Sequence, residues 1–524
     1  MTKILRSAFP KSIVFPAILI ILLALISRLL PGMRTIDDAY ITFRYARNIL
    51  AGNGFVYNPG QSVMGTTTPL YTLLMVCLGS FTGGVNAPFP LLALIFNALA
   101  DSLTCLIIWQ MGKKFTSNWA ALAAALVWAV ASYSVTFAIG GLETSLYVLL
   151  LTSTAYMFLI KRDTPAALCA GLALITRPDA LILIAPLVLH RLYFWLHKKD
   201  SVSIISILSF VLPPALWYGF AWITFGSPVP QSVSAKLVAY HLPQNAALIR
   251  FIQHYATPFT AHDTLGGIGI AIGLVLFPFL FLVGALRAYR RSPSSLPFIL
   301  YPWLYLAAFT LPNPLIFRWY LTPPLPAYYL FILIGAEQLI SSAVKRIPIR
   351  SKQSLQKVLL FTVILCMPIV ASLTEWQLKP DHGPQTPAPK MAWFKLECLY
   401  DQAARLLSPH LEKDDLLAAG DVGVLGYVTN SEILDTVGLN SPRSLSYYPL
   451  PAEQLVTNYA IPTNLILDQQ PDWIVFLEVY GRKTLLQNSQ FMDQYQLFQS
   501  LETDIYGSRG MLIYHRQTQN LTAE

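Results

Sequence analysis

The sequence predicts a polytopic α-helical membrane protein of about eleven transmembrane helices, followed by a small C-terminal α/β domain. Three observations predict this class: 55% of the 524 residues are hydrophobic, only 12% are charged, and the charge is unevenly divided. Residues 1–375 carry 26 Lys and Arg against 10 Asp and Glu, whereas residues 376–524 carry 10 against 17. Soluble domains have about 25% charged residues. Basic residues confined to short loops indicate membrane topology rather than nucleic-acid binding.

The apolar runs define the predicted spans, because a bilayer core about 30 Å thick needs roughly 20 apolar residues per helix. The run 68–82 is short and ends at glycines, so it is predicted to lie along the outer surface. No small-residue cleavage site follows the first run, which is therefore interpreted as an anchor rather than a signal peptide. The eleven predicted spans lie near 13–30, 87–111, 118–138, 143–160, 164–177, 179–196, 202–225, 266–287, 296–311, 320–340 and 356–374.

The basic residues that flank the spans predict the orientation of the chain. If they all face the cytoplasm, eleven spans place the N-terminus inside and the C-terminal domain outside a plasma or inner membrane. These residues are Lys3, Arg6, Lys11, Lys113, Lys114, Lys161, Arg162, Lys198, Lys199, Arg287, Arg290, Arg291, Lys345, Arg346, Arg350, Lys352 and Lys357.

This topology divides the chain into a transmembrane domain at 1–375, a Pro-rich linker at 376–393 and an extracytoplasmic domain at 394–524. The first part has two long outer loops, at 31–86 and 226–265. In the last part, helix-like stretches alternate with strand-like runs, which predicts an α/β domain. The strand-like runs are 416–419, 473–477 and 511–514.

Two adjacent carboxylates, Asp37 and Asp38, follow the first span at the predicted outer boundary of the membrane. The simplest interpretation is a capping pair for the helix beginning near Ala39, because Asp favours that position and the positive end of the helix dipole. One carboxylate can cap while the other faces a cavity. Both interpretations therefore stay open.

The stretch 37–60 reads Asp-Asp-Ala-Tyr-Ile-Thr-Phe-Arg-Tyr-Ala-Arg-Asn-Ile-Leu-Ala-Gly-Asn-Gly-Phe-Val-Tyr-Asn-Pro-Gly, and it resembles the first outer loop of the GT-C glycosyltransferases. These membrane enzymes take sugars from polyprenyl-phosphate carriers. The branch that it resembles best is the actinobacterial terminal arabinofuranosyltransferases. That branch tends to continue with a Glu-Gly-Tyr-Thr-Asn-like run, whereas residues 64–71 read Met-Gly-Thr-Thr-Thr-Pro-Leu-Tyr. Weaker similarity extends to 141–144, 176–179, 234–236 and 318–320.

The resemblance implies a GT-C type fold and inverting transfer of a sugar from a polyprenyl-phosphate donor to an extracytoplasmic glycan, lipid or protein acceptor. It implies that Asp37 and Asp38 carry the base and acceptor-orienting roles, with the first carboxylate as the base. A carboxylate near the acceptor can take the hydroxyl proton, and fixed cations can neutralise the departing phosphate. The candidate phosphate-binding residues are Arg44, Arg177, Lys236 and Arg318, and the supporting residues are Glu143, Asp179 and Tyr40.

Structural interpretations compete for several of these residues. Arg177 and Asp179 could form an ion pair that closes a helical hairpin, and Glu143 could complement a helix dipole. Lys236 could be solvated. Arg318 precedes Trp and Tyr in a pattern typical of an aromatic belt.

The sequence gives weaker signals for a metal ion or a cofactor than for a sugar-phosphate site. A divalent cation on Asp37 and Asp38 stays open, because some GT-C relatives use one, and no other cofactor is predicted. His241, His254 and His262 share an outer loop, although a metal site needs a tighter constellation. The five cysteines have no Cys-x-x-Cys or Cys/His spacing, so neither a zinc site nor a disulfide framework is indicated.

The run 420–426, followed by 433–440, is interpreted as strand–turn–strand, and the tail domain (394–524) as an acceptor-binding or lid module. Two rival functions stay open. A transporter or flippase of lipid-linked sugars would show paired broken helices in two related halves. An inactive scaffold would use the outer domain only to bind glycan.

Overall fold

The computed structural model describes residues 14–197, 202–240, 242–260, 262–346, 352–377, 388–389 and 392–517. Within this part the chain is mostly helical, and one five-stranded sheet lies in its C-terminal quarter. Several predictions fall outside the described residues: those for Lys3, Arg6, Lys11, Lys198, Lys199, His241 and Arg350, and most of the linker at 376–393.

Between Val14 and Leu373 the described residues form helices joined by turns and loops, among them the long loop at 51–68. They consist of runs of Ala, Leu and aromatic residues, and a serine caps two of them, Ser117 and Ser203. Ser117, for example, caps α5 by accepting the N–H of Trp119 at 3.2 Å. A π-helical segment, Leu360–Cys366, joins the last two helices. The helices are α1 (Val14–Leu29), α2 (Asp37–Leu50), α3 (Pro69–Thr82), α4 (Phe89–Phe115), α5 (Asn118–Val130), α6 (Ser132–Ile139), α7 (Thr144–Leu159), α8 (Asp163–Thr176), α9 (Leu181–Leu196), α10 (Ile204–Phe225), α11 (Gln231–Ala239), α12 (Ala246–Ala256), α13 (His262–Arg291), α14 (Leu296–Thr310), α15 (Leu325–Arg346), α16 (Lys352–Leu359) and α17 (Met367–Leu373).

Six helical segments of the described chain are long and apolar enough to cross a membrane, and the bent pair α5–α6 makes seven if it is one span. Four shorter apolar helices, α1, α3, α7 and α8, have 10–17 residues each. Every predicted span coincides with one of these segments or with α14. The helices therefore support a multi-pass membrane protein. The count of eleven spans, the orientation and the surface position of α3 stay predictions.

A buried ion pair ties α1 to α4. Arg28 Nε donates to Asp101 Oδ2 at 2.8 Å, and the two side chains are 0% and 1% exposed. Arg28 also donates to the carbonyl of Ala129 at 2.8 Å, and the Ser145 hydroxyl donates to Asp101 Oδ2 at 3.0 Å. These hydrogen bonds replace the water that both charges lose on burial.

Replacing Arg28 by Met is expected to lower the free energy of unfolding by about 3–5 kcal/mol, because the carboxylate of Asp101 is left buried without its cation. Thermal unfolding of the purified protein measures this loss. The double variant Arg28→Met with Asp101→Leu should recover most of the stability, since no charge is then buried. A single variant as stable as the wild type would contradict this account of the pair.

The tail domain contains a five-stranded sheet of order β4-β3-β5-β7-β6. Strands β4, β3 and β5 are parallel, whereas β7 runs antiparallel to β5 and to β6. Strands β3, β5 and β7 lie where the sequence predicts them. The strands are β1 (Trp376–Gln377), β2 (Ala388–Pro389), β3 (Leu416–Ala419), β4 (Glu432–Asp435), β5 (Trp473–Leu477), β6 (Tyr495–Leu501) and β7 (Met511–Arg516), and the helices are α18 (Ala392–Leu407), α19 (Gly423–Thr429), α20 (Thr463–Gln469), α21 (Glu478–Gly481) and α22 (Ser489–Gln494).

The first outer loop and the tail domain pack as one unit. Tyr45 and Phe55 of the loop belong to the same hydrophobic core as Leu417 and Ile474 of the sheet. Helix α2 contributes Tyr45 to this core and Phe43 to the core of the helical bundle. The side chains at the start of α2 are therefore fixed between the two halves of the protein.

Candidate functional site

The two carboxylates of the first outer loop begin helix α2, in which Asp37 is the first residue and Asp38 the second. Carboxylates in the first turn are stabilised by the positive end of the helix dipole. The preceding residue, Ile36, is extended and makes no side-chain capping bond. Helix capping of α2 therefore does not account for how the Asp37 side chain is bound.

The side chain of Asp37 binds the tail domain instead. The backbone N–H of Gly423 donates to Asp37 Oδ2 and that of Val424 to Oδ1, each at 2.8 Å. Glu397 Oε1 accepts the backbone N–H of Asp37 at 3.1 Å. A Cβ on Gly423 would lie 1.8 Å from the carbonyl oxygen of Asp37, so only glycine allows α19 to approach this closely.

Burial and like charge raise the pKa of these carboxyls. The pKa of Asp37 is raised to about 8, mainly by burial and then by the negative charge of Asp421, while the two backbone N–H donors oppose the rise. Burial also raises the pKa of Asp421 to about 6. The pKa of Asp38 is raised by burial and lowered in part by Lys236. A carboxyl with a pKa near neutrality is suited to proton transfer.

A small cavity of about 60 Å³ lies beside Asp38. Lys236 and Arg177 line it and bring positive charge. Ser232 lines it as well, and its buried hydroxyl has no hydrogen-bond partner among the described residues. Cations combined with hydroxyl donors are the groups that bind phosphate. The lining also includes Thr42, Thr66, Thr67, Thr68, Glu143, Trp319 and Tyr320.

The guanidinium of Arg177 is fixed by two carboxylates. Its Nε and Nη2 donate to the two oxygens of Asp179, each at 3.0 Å, and its Nη1 donates to Glu143 Oε1 at 3.4 Å. The ring of Tyr320 lies 4.4 Å from the guanidinium carbon. The ion pair expected as a structural alternative is thus present, and it also holds Arg177 at the cavity wall.

A larger cavity of about 380 Å³ shares Asp38 and Trp319 with the smaller one. These two residues therefore mark the junction at which groups from both cavities could meet. The charged and titratable residues of the larger cavity are Asp37, Asp38, Arg250, His254, Arg318, Glu397 and Asp421, and its polar and aromatic lining includes Tyr133, Gln253, Thr257, Thr260, Phe317, Asn458 and Tyr506.

Most of the predicted site residues come together around Asp38. Arg177, Lys236 and Glu143 line the smaller cavity, whereas Arg318 lines the larger one. Asp179 lines neither cavity but orients Arg177.

Arg44 and Tyr40 lie apart from both cavities. Arg44 is 1% exposed and donates four hydrogen bonds, at 2.6–3.1 Å, to the carbonyls of Tyr57, Gly426 and Ser431 and to Asn58 Oδ1. The ring of Tyr40 packs 5.2 Å from that of Tyr427 on the tail domain. The geometry gives both residues a structural role at the interface between α2 and the tail domain.

The sequence alone did not predict which residues of the tail domain belong to the site. The run 420–426 is not strand–turn–strand: strand β3 ends at Ala419 and helix α19 begins at Gly423. Asp421 lies in the turn between them and lines the larger cavity. A strand followed by Gly-Asp-x-Gly and a helix start was the available signal, because backbone N–H groups at a helix start bind carboxylates.

Metal ligation finds no support in the geometry of the described residues. No group of three or more His, Cys, Asp or Glu side chains among them is arranged to hold one ion. The divalent cation on Asp37 and Asp38 stays a prediction.

Comparison with known sequences gives two matches. Residues 391–518 match a family model described as a domain of unknown function, DUF8728. An alignment of 291 positions, which covers 51% of this chain, is 26% identical to the terminal β-(1→2)-arabinofuranosyltransferase of Mycobacterium tuberculosis (strain ATCC 25618 / H37Rv). The match spans 43% of that relative's length, which is less than half of it.

Comparison with solved structures shows the fold. ArnT from Cupriavidus metallidurans bound to undecaprenyl phosphate superposes with a TM-score of 0.54 at 10% identity, covering 97% of this chain and 98% of that one. The oligosaccharyltransferase AglB of Archaeoglobus fulgidus, in complex with an inhibitory peptide and a dolichol-phosphate, gives 0.52 at 11% identity, covering 88% and 68%. The predicted resemblance to GT-C glycosyltransferases is therefore confirmed at the level of the fold.

Proposed function

We propose, on the premise that this chain has the GT-C fold, that it is an inverting glycosyltransferase that moves a sugar from a polyprenyl-phosphate donor to an extracytoplasmic acceptor. The observation that carries the proposal is the position of Asp38 at the junction of two cavities of different character. The smaller has cations and hydroxyl groups, which suit a phosphate. The larger has hydrogen-bonding and aromatic side chains, which suit an acceptor.

In this proposal the donor phosphate binds in the smaller cavity. The ammonium of Lys236 and the hydroxyl of Ser232 contact the phosphate, and Arg177 presents its remaining N–H donors. Glu143 and Asp179 position Arg177. Such fixed charges stabilise the negative charge that develops on the phosphate as it leaves.

The transfer itself needs one base. The acceptor oxygen forms a bond to the anomeric carbon from the face opposite the phosphate, and the bond from that carbon to the phosphate oxygen breaks. The phosphate leaves with the electron pair of that bond. The proton of the acceptor hydroxyl passes to the carboxylate of Asp37, while Asp38 orients the sugar at the junction.

The pH dependence of transfer follows from the raised pKa of Asp37. Only the ionised carboxylate can accept a proton, so kcat/KM should fall as the pH drops below about 8. Initial rates measured from about pH 6 to about pH 9 would show this acid limb. A flat profile across that range would contradict Asp37 as the base.

The proposal is tested with purified protein and a panel of labelled polyprenyl-phosphate sugars, such as arabinofuranosyl, mannosyl and aminoarabinosyl donors. We expect release of polyprenyl phosphate and an inverted anomeric configuration in the product. The relatives with this fold were solved with undecaprenyl phosphate or a dolichol-phosphate bound, which supports the choice of donors. Movement of intact donor across proteoliposomes without cleavage would favour a carrier instead.

A further inference from the structure

The backbone of Tyr506 adopts an unusual conformation in the tail domain. Its φ is 55° and its ψ is 23°, in the left-handed region that large side chains rarely adopt. Asn458, which lines the same cavity, also has a positive φ, of 67°. Backbone outliers of this kind cluster at functional sites, where the surrounding structure holds them in place.

The turn that carries Tyr506 is braced by an ion pair. Arg482 Nη2 donates to the carbonyl of Gly507 at 2.7 Å and to Glu478 Oε2 at 2.6 Å. The same Glu478 oxygen accepts the N–H of Arg509 at 3.2 Å. Glu478 follows directly after the central strand β5, so the ion pair ties the turn to the middle of the sheet.

Tyr506 is more exposed than two other tyrosines of the tail domain. It is 42% exposed and lines the larger cavity, whereas Tyr459 and Tyr480 of the same domain are 3% and 2% exposed. The packing of the tail domain therefore does not require this ring. A braced turn that holds an exposed aromatic ring in a cavity is the arrangement of a ligand-contacting side chain.

The remaining wall of the cavity indicates the class of ligand. Asn458, Gln253 and Asp421 offer planar amide and carboxylate groups, and Trp319 offers a second aromatic ring. A sugar ring has a rim of hydroxyl groups, which such planar groups bind, and a C–H face, which packs on the negative face of an aromatic ring. Apolar residues also line the cavity, among them Leu315, Ile316 and Leu321, and they suit an apolar aglycone attached to the sugar.

We propose that Tyr506 is an acceptor-contacting residue that determines acceptor specificity, and that the group it contacts is a sugar ring. The inference rests on the proposed function, because the larger cavity is the acceptor cavity in that account. Arg482 and Glu478 are then positioning residues for Tyr506. The tail domain supplies one wall of the acceptor site rather than a separate module.

Steady-state kinetics with a panel of octyl glycosides as acceptors test this inference. Replacing Tyr506 by Ala should raise the acceptor KM by about tenfold and leave the donor KM unchanged. Tyr506→Phe should keep the wild-type KM, since the ring face remains. Phe498→Ala removes a ring of similar exposure, 40%, that lines neither cavity, and it should leave both KM values unchanged.

A glycine variant separates ligand contact from a structural role. Glycine adopts the left-handed region without strain, so Tyr506→Gly should unfold at the wild-type temperature or above while its acceptor KM rises. A lower unfolding temperature, or an unchanged acceptor KM, would overturn the inference. Transfer to peptides but to no glycoside would overturn the assignment of a sugar ring.

Saturation-transfer NMR with the full chain measures direct binding of the octyl glycosides, and this measurement does not depend on turnover. Suppose that the wild type binds the glycosides, that Tyr506→Gly binds them more weakly, and that no donor is cleaved. The proposed function then fails, while the role of Tyr506 in binding a sugar stands. If the wild type binds none of the glycosides, the inference itself fails.

Discussion

Replacing Asp37 by Asn is expected to lower the rate of sugar transfer by about 10²–10⁴-fold, the usual contribution of a general base. The amide cannot take the proton of the acceptor hydroxyl. Its nitrogen would also face one of the two N–H donors, from Gly423 or Val424, that now bind the carboxylate. The loss should appear in kcat with labelled donor at saturating concentration.

The matched variants are Asp38→Asn and Glu432→Gln. Asp38 lies at the junction of the cavities, so its variant should also lose transfer, whereas Glu432 is an exposed carboxylate of the tail domain that lines neither cavity. Donor binding and the unfolding temperature should be measured for all three variants. Full activity in Asp37→Asn would remove this residue from the mechanism and direct the search to Asp421 and Glu397, which line the larger cavity.

Replacing Gly423 by Ala is expected to lower transfer by about 10²-fold, although Gly423 touches neither substrate in this account. Its new Cβ would lie 1.8 Å from the carbonyl oxygen of Asp37. Helix α19 must then move away, and the carboxylate loses the N–H groups that fix it. A displacement of about 1 Å at a catalytic group costs this much in rate.

The control for this prediction is Gly219→Ala, because a Cβ there meets no atom within 4 Å. It should keep wild-type activity. Far-ultraviolet circular dichroism should show that the tail domain of Gly423→Ala keeps its secondary structure. An active Gly423→Ala variant would mean that close approach of α19 does not hold Asp37 in its working position.

Local sequence could predict the helices and three strands, because periodicity and hydropathy act over neighbouring residues. It could also predict the loop that begins with Asp37, since the stretch 37–60 carries a family pattern. It could not predict that Gly423 binds Asp37, because these residues are 386 positions apart. Only the folded chain brings them into contact.

Arg44 is the reverse case, in which a local pattern predicts one contact and the folded chain gives the side chain other partners. Its place in the loop, seven residues after Asp37, predicts a cation near a lipid phosphate. The tail-domain carbonyls that occupy its guanidinium, those of Gly426 and Ser431, are 382 and 387 residues away in the chain. The local signal at 420–423 indicates a turn before a helix, but it does not show that Asp421 in this turn faces the first outer loop. Tyr506 has no such local signal.

The position of the bound lipid phosphate shows which of the two cavities is the donor site. It can be determined by cryo-electron microscopy of the protein in nanodiscs with undecaprenyl phosphate. The account predicts the phosphate in the smaller cavity, within about 3 Å of Lys236 Nζ and Ser232 Oγ, with Asp38 between it and the larger cavity. A phosphate bound in the larger cavity beside Arg318, or away from both cavities, would contradict the account.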